Sequence, residues 1–212
     1  MKQPSIQRAA VGFRVHSGWA VLVALAEPVK KPTILVRKHI EIADAEIVGS
    51  KQPYHAAQGL ELSRAEKLIA SCVEASLRLA KKELKAAVDD AMAKGYKVST
   101  SGVLTGSARP LPTLERILSS HPLLHAAEGE LFRQAIMTAC RDCGLSVFSV
   151  KESEVLLRSS SVLGISEKDI QQHLASTGET VGSPWRQDEK LATRVAWLAL
   201  AAGAQRNKAK VS

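Results

Sequence analysis

The amino-terminal third of the chain shows short apolar runs and period-two alternation. Residues 9–15 form a short apolar run closed by His16-Ser17-Gly18, where glycine offers the positive φ a tight turn needs. A second run over 19–26 is rich in Val, Leu and Ala and is broken by Pro28 and Pro32, since proline gives no donor to a ladder. Over 33–42 the residues Ile34, Val36, Lys38, Ile40 and Ile42 alternate with Leu35, Arg37, His39 and Glu41. One face is mostly apolar and the other largely polar, with Leu35 the exception. Three strands joined by short turns predict an antiparallel meander.

From residue 63 the period lengthens. Ser63 and Glu66 have the spacing of a capping box. Ala65, Leu68, Cys72, Leu79, Val88 and Ala91 recur at helical intervals up to a stop at Gly95. A helix over 63–94 would be about 48 Å long at 1.5 Å per residue. That is longer than a five-residue strand, so one end is expected to project or to pack on another subunit as a homodimer contact. Residues 97–104 return to strand, and 106–112 read as a loop. A second long helix is predicted over 122–143, with proline in its first turn and Gly144 as its stop. A strand at 145–150, short helices over 152–162 and 167–176, a flexible connection at 177–184 and a closing helix over 188–202 complete the order. Residues 1–8 and 204–212 are expected to be tails. The sequence β-β-β-α-β-α-β-α predicts one α/β domain over 1–212, a mixed five-stranded sheet with helices on both faces.

Composition narrows the function classes. In 212 residues, 45% are hydrophobic and 24% charged, an ordinary globular balance that excludes disorder as the general state. No apolar run is long enough to span a bilayer, so no membrane role is expected. The amino terminus lacks an apolar signal segment and three cysteines are too few for a disulfide framework, so a cytoplasmic protein is expected. A net charge of +8 favours a polyanionic partner. The basic residues are scattered and do not interleave with aromatics, which limits the expectation to contact with nucleic-acid backbone phosphates. No P-loop, GxSxG or dinucleotide glycine pattern is present.

Helix phase selects the acids. Leu191, Val195, Leu198 and Ala202 form a stripe with Asp188 on its face, while Glu189 points about 100° away. On the second long helix Glu128 falls at the centre of the apolar face of Leu124, Ala127, Leu131 and Ala135, with Glu130 opposite. Buried carboxylates are costly unless paired, so Asp188 and Glu128 are the candidate catalytic residues. His121, His125 and Glu128 have a spacing, HxxxHxxE, that could place three metal ligands along one helix face, with no fourth ligand indicated. Cys140 and Cys143 form a lone CxxC and read as packed thiols.

Three stretches carry a resemblance. GFRVHSGWAV at 12–21 is similar to the first hairpin of RuvC-type Holliday-junction resolvases, GISEKDIQQH at 164–173 to their lysine-bearing helix, and 184–200 to their closing helix. The element order resembles the ribonuclease H-like fold to which they belong. Such enzymes hydrolyse phosphodiesters with two Mg or Mn ions, and cations about 4 Å apart require several carboxylates to offset their repulsion. Against that pattern, Arg14 stands at the position of the first-strand acid. The fourth-strand acid would fall near 99–101, where there is no carboxylate, and Leu191 or Ala192 follows Asp188 and Glu189 one turn on.

The resemblance therefore implies a non-catalytic nucleic-acid-binding or structural module without a cofactor. Arg14 is expected to pair with Asp188, or to form an anion pocket with His16 and Lys168, and with Arg186 near the start of the closing helix. The alternatives are a Mg- or Mn-dependent nuclease with relocated acids, Glu128 and Asp188 its ligands, and a protein-interaction module with no nucleic-acid role.

Overall fold

The computed structural model describes residues 6–106 and 110–211, with the helical backbone only from 206 onward. The three apolar runs form β1 (Gln7–Val15), β2 (Trp19–Ala26) and β3 (Thr33–Glu41), paired antiparallel in sequence order. β4 (Tyr96–Thr105) lies parallel to β1, and β5 (Ser146–Lys151) lies parallel to β4. The strand order is β3-β2-β1-β4-β5, the mixed five-stranded sheet expected from the pattern. Leu35, the exception in the alternation, is explained by the register. Ala24 pairs with Val36 and Leu25 with Ile34, so Leu35 is the extra residue of a bulge and packs on the same apolar cluster as Val36.

Among the described residues, seven helices accompany the sheet: α1 (Pro53–Ala56), α2 (Leu62–Ala93), α3 (Leu114–Leu118), α4 (His121–Asp142), α5 (Val155–Leu163), α6 (Glu167–Val181) and α7 (Gln187–Val211). A short 3-10 turn, Glu152–Glu154, precedes α5. Strand residues point alternately to the two faces, and the two cores follow that period. Val11, Phe13, Leu22 and Ala24 meet Ala80, Leu84 and Ala87 of α2 and Phe132 and Ile136 of α4. Val21, Val23 and Leu25 meet Ala192, Ala196 and Trp197 of α7, with Ile170 and Leu174 of α6 behind them.

Glycine sets how closely α7 sits on the sheet. A Cβ on Gly12 of β1 would lie 2.2 Å from the Ala192 carbonyl oxygen, and one on Gly102 of β4 would lie 2.3 Å from that of Val195. Both contacts are with helix backbone, which cannot rotate away. The helix is buried on nearly every side: Leu191, Ala192, Val195, Ala196, Trp197, Leu198 and Ala199 are all covered. A single stripe was expected, but α7 lies between the sheet and the α5–α6 layer, so residues off the stripe are covered too.

Several expected boundaries are corrected. The cap of α2 is Glu61, whose carboxylate accepts from the Ser63 backbone N–H, rather than a Ser63–Glu66 box. No end of α2 stands free of this chain, because Ala65 near its start and Ala91 near its end are both fully buried. Its exposed positions include the charged Arg64, Glu66, Lys67, Lys82 and Lys85 and the apolar Val73 and Met92. The connection expected at 177–184 is partly helix, and Trp185 packs onto Gly178, its indole N–H donating to the Leu174 carbonyl. Of the expected tails, residues 1–5 and 212 lie outside the described residues. Gln7 and Arg8 belong to β1, and α7 runs on to Val211. The loop expected at 106–112 falls partly outside the described residues, and the one-turn helices α1 and α3 were not anticipated.

Candidate functional site

β1, β4 and β5 run parallel, and their carboxyl ends open the edge of the sheet where α/β folds place ligands. Arg14, next to last in β1, projects there toward the first turn of α7. Its Nη2 lies 3.1 Å from Oε2 of Glu152, just past β5, and its Nε lies 3.6 Å from Oδ1 of Asp188. Nη1 donates to the Val15 carbonyl at 3.3 Å. Nε is buried without a hydrogen bond, so its contact with Asp188 is coulombic. His16 Nε2 completes the group at 3.0 Å from the same Asp188 oxygen. One guanidinium is thus set between two carboxylates. The expected pairing of Arg14 with Asp188 is present.

The first turn of α7 also explains its second acid. The buried Glu189 carboxylate accepts from the Arg186 backbone N–H at 2.7 Å. It caps the helix, where the dipole favours negative charge. Glu189 was expected to point away from the interior, yet it is the more buried of the two acids.

Beside the acids, three rings stack. His16 lies 4.1 Å from Trp19 at 11°, and Trp19 lies 4.6 Å from His39 at 25°. Both faces of Trp19 are therefore occupied by imidazoles from this chain.

These residues do not fit a two-cation site. The β1 position holds a cation of its own. The register pairs Phe13 with Val103, so the β4 neighbour of Arg14 is Leu104, which packs against Leu191 and Val195 of α7. The span 99–101, expected to match the β4 acid, lies further from this edge. Thr100 there packs on Gly203, well along α7. Of the carboxylates at this edge, Asp188 and Glu152 already share Arg14, and Glu189 is taken up in capping α7.

The other candidates are dispersed. Lys168 on α6 and Arg186 before α7 are exposed, and neither forms an ion pair among the described residues. Glu128 sits on α4, on the opposite face of the sheet from α7, and so is not brought to Asp188. Its buried carboxylate accepts from His55, at 3.2 Å from the backbone N and 2.8 Å from Nδ1. Burial, and after it the Glu128 charge, pushes the neighbouring Tyr54 hydroxyl up from its ordinary pKa. His121 and His125 join His55 beside it. Of the CxxC pair, Cys140 is buried and its thiol is pushed up to about 12, chiefly by desolvation, while Cys143 is exposed. Packing thus describes Cys140 alone.

Three contributors escaped sequence reasoning. Glu152 read only as a helix start, although its place after a parallel strand puts it at the sheet's carboxyl edge. His55 lies in a four-residue helix with no usable period. Arg194, on α7, is 2% exposed and makes two 2.7 Å bonds to Glu167, which holds that carboxyl below its usual range.

No protein-family model matches the chain, and no curated protein matches it. Solved structures do. A T. thermophilus RuvC in complex with Holliday junction substrate aligns with a TM-score of 0.54 at 10% identity, covering 93% of this chain and 96% of that one. A second Thermus thermophilus RuvC structure aligns with a TM-score of 0.52 at 9% identity over the same shares. The fold is therefore RuvC-like, of the ribonuclease H-like class.

Proposed function

We propose that this chain is a non-catalytic RuvC-like protein that binds nucleic acid through backbone phosphates. The observation that carries this reading is Arg14, set between Asp188 and Glu152 at the sheet edge. A fixed guanidinium neutralises the carboxylates that would otherwise attract divalent cations, and Leu104 offers no replacement oxygen on β4.

The same geometry argues against an anion pocket built on Arg14. One cation flanked by two carboxylates leaves no net positive charge for a phosphate. Arg14 instead clamps the end of β1, the turn after β5 and the start of α7. Phosphate contact then falls to exposed cations such as Lys168 and Arg186, within a chain of net charge +8. A RuvC that shares the fold has been seen with a Holliday junction, which makes branched DNA the first substrate to try.

Fluorescence anisotropy with a four-way junction and with plain duplex tests the reading. Affinity should fall at least about tenfold between 50 and 200 mM salt, the drop expected for two or more phosphate contacts. Lys168→Glu with Arg186→Glu should weaken binding further. Absence of binding to either DNA at low salt would overturn the proposal and favour a protein-interaction module.

A further inference from the structure

On the α4 side of the sheet, away from Arg14, three imidazoles converge. His121 and His125 are one turn apart at the start of α4, and so share a face. His55 comes to them from α1. Each of the three offers a ring nitrogen, and those atoms lie within 4.8 Å of one another. The ring centroids are 4.5, 4.7 and 5.4 Å apart. Imidazoles bound at about 2.0–2.1 Å around a tetrahedral ion would have centroids roughly 5 Å apart. The rings lie at 56°, 82° and 86° to one another, converging edge to face rather than stacking in parallel.

Glu128 supplies the independent observation. It is fully buried, and Oε1 engages His55 Nδ1 at 2.8 Å. That bond leaves His55 Nε2 as the nitrogen free to coordinate. A carboxylate behind an imidazole is how histidine ligands are oriented and made more basic. The second oxygen, Oε2, is buried with no hydrogen-bond partner. A buried carboxylate so incompletely satisfied is costly unless positive charge lies close by.

We propose that His55, His121 and His125 bind one divalent transition ion of the zinc type, with Glu128 holding His55 in place. Three imidazole nitrogens suit zinc, cobalt, nickel or copper far better than magnesium or calcium. Three protein ligands leave a fourth position for water. Glu128, read from its spacing as a ligand, is instead the group that positions one. The ion would fasten the α1 segment, between β3 and α2, to α4.

The test uses the full chain, stripped with a chelator and titrated with Zn²⁺ against a chromophoric competitor. Co²⁺ is added separately to read tetrahedral absorption bands. One equivalent should bind. Loss of a ligand in His121→Ala or His125→Ala, both at exposed positions, should weaken binding by more than the about 10–100-fold typical of an outer-shell partner, and Glu128→Gln by about that range. Circular dichroism on each variant separates lost binding from lost folding. Failure to bind one equivalent at micromolar Zn²⁺ would overturn the proposal. So would unchanged affinity in folded His121→Ala and His125→Ala, or binding that depends on Cys143 instead.

Discussion

Arg14 Nε and Asp188 Oδ1 lie 3.6 Å apart, joining the end of β1 to the first turn of α7. The pair is partly exposed, with 21% of the arginine side chain and 32% of the aspartate open to solvent, so screening limits its worth. A double-mutant cycle of Arg14→Ala and Asp188→Ala, read by urea unfolding, should give a coupling of about 0.5–1 kcal/mol that shrinks in high salt. A coupling of zero would mean that the two merely lie close together.

Gly12→Ala should damage the fold far more than its one carbon suggests. The new Cβ would meet the Ala192 carbonyl at 2.2 Å and the Ala196 nitrogen at 2.5 Å, so α7 must lift from the sheet. Overpacking of this kind costs about 1–3 kcal/mol or more. Contact with unyielding backbone puts Gly12→Ala at the upper end, with a clearly lowered melting temperature by circular dichroism.

Glu167 should make stability fall in acid. The Arg194 guanidinium holds its carboxyl below the ordinary value of 4.5. A depressed folded pKa gives stability that is present above the unfolded value and lost as pH falls through the folded one. Unfolding free energy measured from pH 7 to pH 3 should therefore drop less steeply below about 4.5 in Glu167→Gln than in the parent. Glu167→Gln should also be less stable at pH 7, since buried Arg194 loses its full partner.

Thiol labelling should single out one cysteine. Cys72 and Cys140 are buried, and burial raises both thiols above their ordinary pKa. Exposed Cys143 alone should be alkylated by iodoacetamide at pH 8, as read by peptide mass spectrometry.

Much of the fold was legible because its strands are short apolar runs bounded by turn residues and its long helices are well delimited. Gly18 closes the first turn at a φ of +82°, as a residue there must. α7 was found but misjudged. Ala192, Ala196 and Ala199 look neutral in a periodicity count, yet all three are fully buried because alanine fits between tightly packed layers. The site was half legible. Arg14 with Asp188 followed from the likeness to RuvC, whereas Glu152 required knowing which strand ends meet at the open edge. His55 was beyond reach: a four-residue helix carries no period, and nothing local links it to Glu128.

The clearest test of the central claim is a cleavage assay. A labelled four-way junction is incubated with the protein and Mn²⁺ or Mg²⁺ at a salt concentration where binding is saturated. With Arg14 locked between Asp188 and Glu152, the junction should stay bound and uncut over hours. Metal-dependent cleavage that disappears in Asp188→Asn would contradict the account.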